Sequence, residues 1–346
     1  CNLHCSYCFA DSGGKKEKDS SLETIRLQYE SVLKASGKCN IQLSGGEPTV
    51  RDDLTEIIKL GKDMGFNFIQ LNTNGIRLGE DENYVKDLKS AGLSSIYLQF
   101  DGTNDIIYKK LRGKELLKVK TIAVENCEKH GIGIVLVPTL VPGVNRDNIG
   151  EIIDFALEHA PGVRGVHFQP VSYFGRIPGT PKDEDRITLP EVMEEIERQT
   201  GGRIKTESLK PPGCENALCS FHGSYLCDDQ KNLVSITNRS SCCNNEKAKE
   251  GAVKAKEYVL RNWSYSKEDS LKEKQCSNKM SDWDKILYRV RNNTFSISAM
   301  AFQDVWNLDL NRLKDCCIHV VSPEGRLIPF CAYNITDING RYLYRR

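Results

Sequence analysis

From Leu22 to Gln169 the sequence alternates between two hydrophobic periods, and no other feature restricts its fold so tightly. Short apolar runs near residues 40–44, 66–72, 95–100, 132–140 and 164–169 read as strands. The stretches between them, near 53–64, 83–90, 116–130 and 147–159, carry apolar residues at helical spacing. Leu22, Ile25, Tyr29 and Leu33 form another helical face ahead of the first strand. Regular strand–helix alternation predicts a parallel sheet whose crossover helices cover its outer side. In such a fold the polar residues at the C-terminal ends of the strands are the candidates for a site, which here are Thr73, Asn74, Gln99, Asp101, Thr139 and Gln169. Each has an alternative use in a turn or a cap, and Asn74-Gly75 and Asp101-Gly102 are good turn pairs.

Ahead of this alternation stand Cys1, Cys5 and Cys8, spaced so that three thiolates can share one tight loop. Three thiolates hold three irons of a [4Fe-4S] cube and leave the fourth iron without a protein ligand, whereas ferredoxin and structural zinc sites close every position. A zinc knuckle completed by His4 or a distant cysteine is the alternative. Ser44, Gly45, Gly46, Glu47 and Pro48 follow the first apolar strand, which contains Ile41 and Leu43.

The chain has 346 residues, enough for two domains and a substantial core. Its 48 Lys and Arg balance 47 Asp and Glu, so no global field recruits nucleic acid or an anionic membrane. No apolar run approaches the ~20 residues needed to span a bilayer, so any membrane contact would be peripheral. Fourteen cysteines in a large, charged chain without a signal peptide point to a reducing cytoplasm and to ligand groups, not to a disulfide scaffold.

Nine of those cysteines follow residue 205. After the last predicted strand come a Pro- and Gly-bearing connection and one helix near 189–198, then long charged stretches with little periodicity. Residues 1–200 therefore read as the α/β sheet domain, and 201–346 as a second domain organised by metal. Its candidate ligands are Cys214, Cys219, Cys243, Cys316, Cys317 and Cys331, with Cys227, Cys242 and Cys276 as further thiols. Cys39 and Cys127 fit plain core positions, and His222 and His319 fit hydrogen-bonding roles better than ligation.

The cysteine triplet, read with Gly45-Gly46-Glu47-Pro48, resembles the radical S-adenosylmethionine (SAM) enzymes. That resemblance implies a partial (β/α)6 TIM-like barrel, with a first strand lying upstream of Cys1 in a longer chain. It implies that Cys1, Cys5 and Cys8 carry the catalytic cluster, that SAM chelates its open iron, and that the Gly45–Pro48 turn helps hold the methionine amine. Thr73, Asn74, Asp101 and Thr139 are the other cofactor-binding candidates, and Gln99 and Gln169 the further catalytic ones. Reduction of SAM by the cluster yields a 5′-deoxyadenosyl radical that takes hydrogen from an unactivated carbon. A low-potential donor, ferredoxin or flavodoxin, supplies the electron.

Segments such as Tyr97–Gly102, Leu111–Gly113, Val166–Pro170, Ala217–Gly223 and Pro329–Asn334 are similar to the branch containing the archaeal tetraether lipid synthases. This implies two auxiliary Fe-S clusters and carbon–carbon coupling of lipid tails. A radical SAM maturase of a peptide or small molecule is the alternative, and a noncatalytic Fe-S or zinc-stabilised electron carrier is the reading from another class. The compact cysteine run of the common SPASM extension is absent.

Overall fold

The structure, a computed structural model, describes residues 1–12, 19–228, 230–237, 248–265 and 293–345. Strands β1 (Ile41–Leu43), β2 (Ile69–Thr73), β3 (Ser95–Gln99), β4 (Gly133–Val137) and β6 (Val163–Pro170) are parallel neighbours in that order, and the short β5 (Thr139–Leu140) pairs with β6. Helices α1 (Leu22–Ser36), α2 (Leu54–Asp63), α4 (Glu82–Ser90), α6 (Leu117–Lys129), α7 (Ile149–Glu158) and α8 (Leu189–Gln199) follow the predicted spacing within a few residues. The result is an α/β fold with a mixed, mostly parallel sheet.

Two helices between the predicted elements of residues 22–200 were not predicted. They are α3 (Ile76–Glu80) and α5 (Asp105–Arg112), each too short to show a period. The boundaries of α5 are nevertheless chemical: the Asn104 side chain accepts from the Ile107 N–H, and Gly113 ends the helix at φ 76°.

The sheet does not stop near residue 200. Strand β9 (Thr294–Met300) lies parallel beside β6, pairing Gly165 with Ser296 and His167 with Ser298. Strand β7 (Ser220–Cys227) runs antiparallel to β9, and β8 (Leu233–Ser235) antiparallel to β7. The C-terminal residues thus contribute three strands to the same sheet, where sequence reading had found little periodicity. Helix α9 (Ala248–Asn262) and the smaller elements α10 (Leu310–Lys314), β10 (His319–Val321), β11 (Leu327–Pro329) and α11 (Phe330–Asn334) complete the described chain.

Strand register sorts the side chains. Leu71, Ile96, Leu98, Ile134, Leu136, Val166, Phe168, Ile297 and Ala299 face the helices and form one core with Ile58, Val85, Val124 and Ile152. The opposite face carries the paired rows Gln42, Gln70 and Ser95, then Asn72, Tyr97, Val135, Gly165 and Ser296, then His167, Ser298 and His222. Period-2 alternation thus makes one face apolar and the other largely polar. On this face Tyr97 and Val135, in mid-strand, and Val137, at the end of β4, pack with Trp263 into an apolar patch.

Ile297 has no exposed surface and sits in the core that α2 and α7 share. Ile297→Ala should cost about 2–5 kcal/mol. Chemical denaturation of the apo-protein should show one earlier transition reported alike by probes in both halves. A separate early transition of the C-terminal half would contradict a single continuous sheet.

Candidate active site

At the C-terminal end of the parallel strands, residues 1–12 form a loop with little secondary structure of its own. Its thiols differ in setting: Cys1 is exposed, Cys8 half-buried and Cys5 buried, all without disulfides. Cys1 faces the turn after β1, where a Cβ added to Gly46 would lie 3.2 Å from the Cys1 Cβ and 3.0 Å from that of Ser12. Glycine at 46 therefore lets the turn lie against the loop.

Neighbouring elements hold the loop in shape. Arg176, just after β6, donates from Nε to the Cys5 carbonyl at 2.9 Å and from Nη2 to the Ser12 carbonyl at 3.0 Å. Cys8 and Arg176 also exchange both backbone hydrogen bonds at 3.0 Å. On the other side, the Ser6 N–H donates to the Leu111 carbonyl and the Ser6 hydroxyl to the Lys110 carbonyl. Asn74 donates to the Asn2 side chain at 2.7 Å.

Several predicted residues turn out to be braces. Glu47 is buried: Oε1 accepts from the Thr49 N–H, the Thr49 hydroxyl and the Thr73 hydroxyl, and Oε2 accepts from the Asn74 N–H. Those four bonds fix its carboxylate and tie the turn to the end of β2. Pro48 starts the short helical turn that follows. Thr73 also accepts from Gly75, and Asn74 Oδ1 accepts from Ile76.

Asp101 is fully buried and forms a fork with Arg112, at 2.6 and 2.7 Å, while also accepting from the Thr139 N–H. Gln99, with its amide oxygen turned toward the guanidinium, accepts from Arg112 at 3.1 Å. Gln169, half-buried near the end of β6, stands beside Thr139 of β5.

Two residues at this site were missed in the sequence. Lys120 of α6 is buried and donates to the carbonyls of Asn74 and Gln99, at 2.7 and 2.6 Å, tying the ends of β2 and β3 together; burial pushes it down to about 8. Its sequence signal was a lysine on the apolar face of a helix. His167 bonds Ser298 at 2.8 Å, and burial pushes it down to about 4, which keeps it neutral near pH 7.

Five C-terminal thiols fall into two groups near the start of β7, opposite the end of β9, whereas Cys227 is a buried core residue at the far end of β7. The ligand atoms of Cys214, Glu215 and Cys317 lie within 4.8 Å of one another. The Cys214 thiol donates to Glu215 Oε2 at 2.8 Å, and the Cys317 thiol donates to the Cys214 carbonyl at 3.5 Å. Cys219, Cys316 and Cys331 are within electrostatic reach of each other, and burial pushes Cys331 up to about 11. Arg312 donates to Cys219 at 3.4 Å, and the Gln303 N–H donates to Cys331 at 3.3 Å. Cys243, with Cys242 and Cys276, lies outside the described residues. Cys127 is a core residue and Cys39 is half-exposed.

The two cysteine regions meet. The Phe9 ring packs on Phe330 at 5.7 Å, and the Tyr342 hydroxyl donates to the Phe9 carbonyl at 2.8 Å.

The sequence profile of the Radical SAM superfamily matches residues 1–156. A 7,8-dihydro-6-hydroxymethylpterin dimethyltransferase of Methanocaldococcus jannaschii is 38% identical over 96% of this chain and 74% of its own. A GTP 3′,8-cyclase of Clostridium perfringens is 25% identical over 64% of this chain and 68% of its own. Among solved structures, Streptococcus suis SuiB bound to S-adenosylmethionine aligns with a TM-score of 0.44 at 15% identity, over 58% of this chain and 42% of SuiB. The chain belongs to the radical SAM superfamily. Its cofactors are a [4Fe-4S] cluster and S-adenosylmethionine, and enzymes of this kind draw an electron from an external reductant. The relative of highest identity among these is named for a pterin, where the sequence segments had suggested a lipid.

Gly175 adopts φ 68°, and a Cβ there would lie 2.3 Å from the Cys8 carbonyl and 2.9 Å from that of Phe9. Gly175→Ala should strain the grip on the loop by about 1–3 kcal/mol. Anaerobic reconstitution should then give much less iron per chain with unchanged far-UV circular dichroism. Full iron loading would show that the loop does not need this approach.

Proposed function

We propose that this protein forms a carbon–carbon bond at an unactivated carbon, with Cys1, Cys5 and Cys8 holding the cluster and the Ser44–Pro48 turn holding SAM. The observation that carries this reading is the thiol loop fixed by Arg176 and seated against Gly46 at the open ends of the strands. Three free thiols on one loop suit a cube with one iron left for an outside ligand. When bound, the two groups supply a primary carbon radical able to take hydrogen from a C–H bond.

The chain's own residues must then keep that space dry and free of competing hydrogen donors. Tyr97, Val135, Val137 and Trp263 give the inner face an apolar patch, and neutral His167 keeps charge off it. The C-terminal thiols, joined to the loop through Phe330 and Phe9, are the proposed auxiliary centres.

A small polar substrate fits the inner face best, since Asn72, Gln99 and Gln169 bring amides to the C-terminal strand ends. A reduced pterin is the specific candidate, because the relative of 38% identity is named for one. The lipid-tail reading keeps one observation in its favour: Leu218 and Ile318, each next to a cysteine of the C-terminal groups, are exposed, at 66% and 39%.

The test uses two substrates deuterated at unactivated carbons, a dihydropterin and a lipid diether. Each is incubated with reduced, reconstituted enzyme and SAM. Deuterium in 5′-deoxyadenosine identifies the substrate, and none from either would overturn both assignments. Cys5→Ala should abolish SAM cleavage. Cys331→Ala should keep uncoupled cleavage but lose product, and an undiminished product yield would remove Cys331 from an auxiliary centre. Iron content separates one cube, about four irons, from three, about twelve.

A further inference from the structure

His167 lies on the inner face of the sheet and is 7% exposed. Its Nδ1 is fixed by the Ser298 hydroxyl at 2.8 Å, across the β6–β9 pair, whereas Nε2 has no hydrogen-bond partner among the described residues. Leu98 pairs with Leu136 and Leu136 with Val166, so His167 stands one residue further toward the C-terminal strand ends, level with Gln99 and Val137. Gly165, two residues earlier on the same face, brings no side chain, and the Tyr97 ring lies 5.5 Å from the imidazole. Tyr97 in turn stacks on Trp263 at 6.0 Å. Exposure rises along the row, from buried His167 through half-buried Ser298 to exposed His222. A histidine kept for packing alone would cost less as an apolar ring, because a buried ring nitrogen without a partner is a penalty.

We infer that His167 is a substrate-binding residue whose Nε2 hydrogen-bonds the amide-like edge of a flat, neutral heterocycle seated beside Tyr97. The inference rests on the inner face being the substrate site, as proposed above, and narrows that reading to one contact and one ligand class. The Ser298 hydroxyl either donates to Nδ1 or accepts from it, which makes Nε2 a donor or an acceptor. A lactam, with its carbonyl and N–H side by side, meets either tautomer. Burial keeps the imidazole neutral near pH 7, so it offers no counter-charge to an ionic group and suits an uncharged partner. Tyr97 and Trp263 supply aromatic surface for a flat ring, while a saturated chain has nothing to satisfy Nε2. Gln99, at the same level, is already engaged by Arg112, which leaves His167 as the polar group with a nitrogen to spare.

The test is an anaerobic calorimetric titration of 7,8-dihydro-6-hydroxymethylpterin into reconstituted protein with SAM present, read with iron content and far-UV circular dichroism. Wild type should bind this probe. His167→Phe, which keeps a buried ring without its nitrogens, should bind about tenfold more weakly or worse, the loss expected when a buried hydrogen bond is removed. His167→Gln, which keeps a polar side chain at this position, should recover part of that affinity. Wild-type affinity in fully loaded His167→Phe overturns the inference and leaves the pterin reading standing. Equal loss in the Phe and Gln variants marks a packing effect and also overturns it. A wild-type protein that binds no dihydropterin overturns the pterin reading together with the ligand class inferred here, which separates the two failures. If His167→Phe does not fold, Ser298→Ala, which frees the ring, takes its place: it should weaken binding, and unchanged affinity overturns the inference.

Discussion

A loop that carries three thiols and almost no secondary structure cannot hold its own shape, and the rest of the site is arranged around that deficit. Backbone groups of the loop are paired from outside by Arg176 on one side and Leu111 on the other, and its Ser6 and Asn2 side chains are held by the Lys110 carbonyl and Asn74. Buried backbone groups must find partners, so each borrowed hydrogen bond is also a geometric constraint. The loop is thereby placed by β2, α5 and the segment after β6 together, and its thiols inherit the rigidity of the sheet.

The same economy explains the buried acids. Glu47 and Asp101, both expected at the cofactor site, are also held firmly by the fold itself. Isolated buried carboxylates are costly, and each is compensated in full: Glu47 by hydroxyls and N–H groups, Asp101 by a bidentate arginine. They shape the walls on which the exposed turn backbone, Gln99 and Gln169 can act.

The apolar period revealed the strands from Ile41 to Pro170 and so the positions of Thr73, Gln99 and Gln169, because local alternation encodes which side a residue faces. It did not reveal β9. In Thr294–Met300 serine alternates with apolar residues, a pattern that makes sense only once β6 is known to lie alongside. Nor did it reveal the partners of the loop, since Arg176 lies 171 residues from Cys5 and Arg112 lies 105 from Tyr7. Such contacts are set by topology, which local periodicity does not carry. The cysteine spacing was legible because a metal ligand set on one loop is local by nature.

Strand β9 has a consequence for how this chain is made. Strand β6 ends at Pro170, yet the neighbour that covers its free edge begins at Thr294. At about 5–20 residues per second, the edge stays open for roughly 6–25 s of synthesis. An unpaired strand edge invites pairing with other chains, and this one carries Val166 and Phe168. The nascent protein therefore has an interval in which its sheet is unfinished while its cysteine loop is already outside the ribosome, and the Phe330 contact to that loop comes later still.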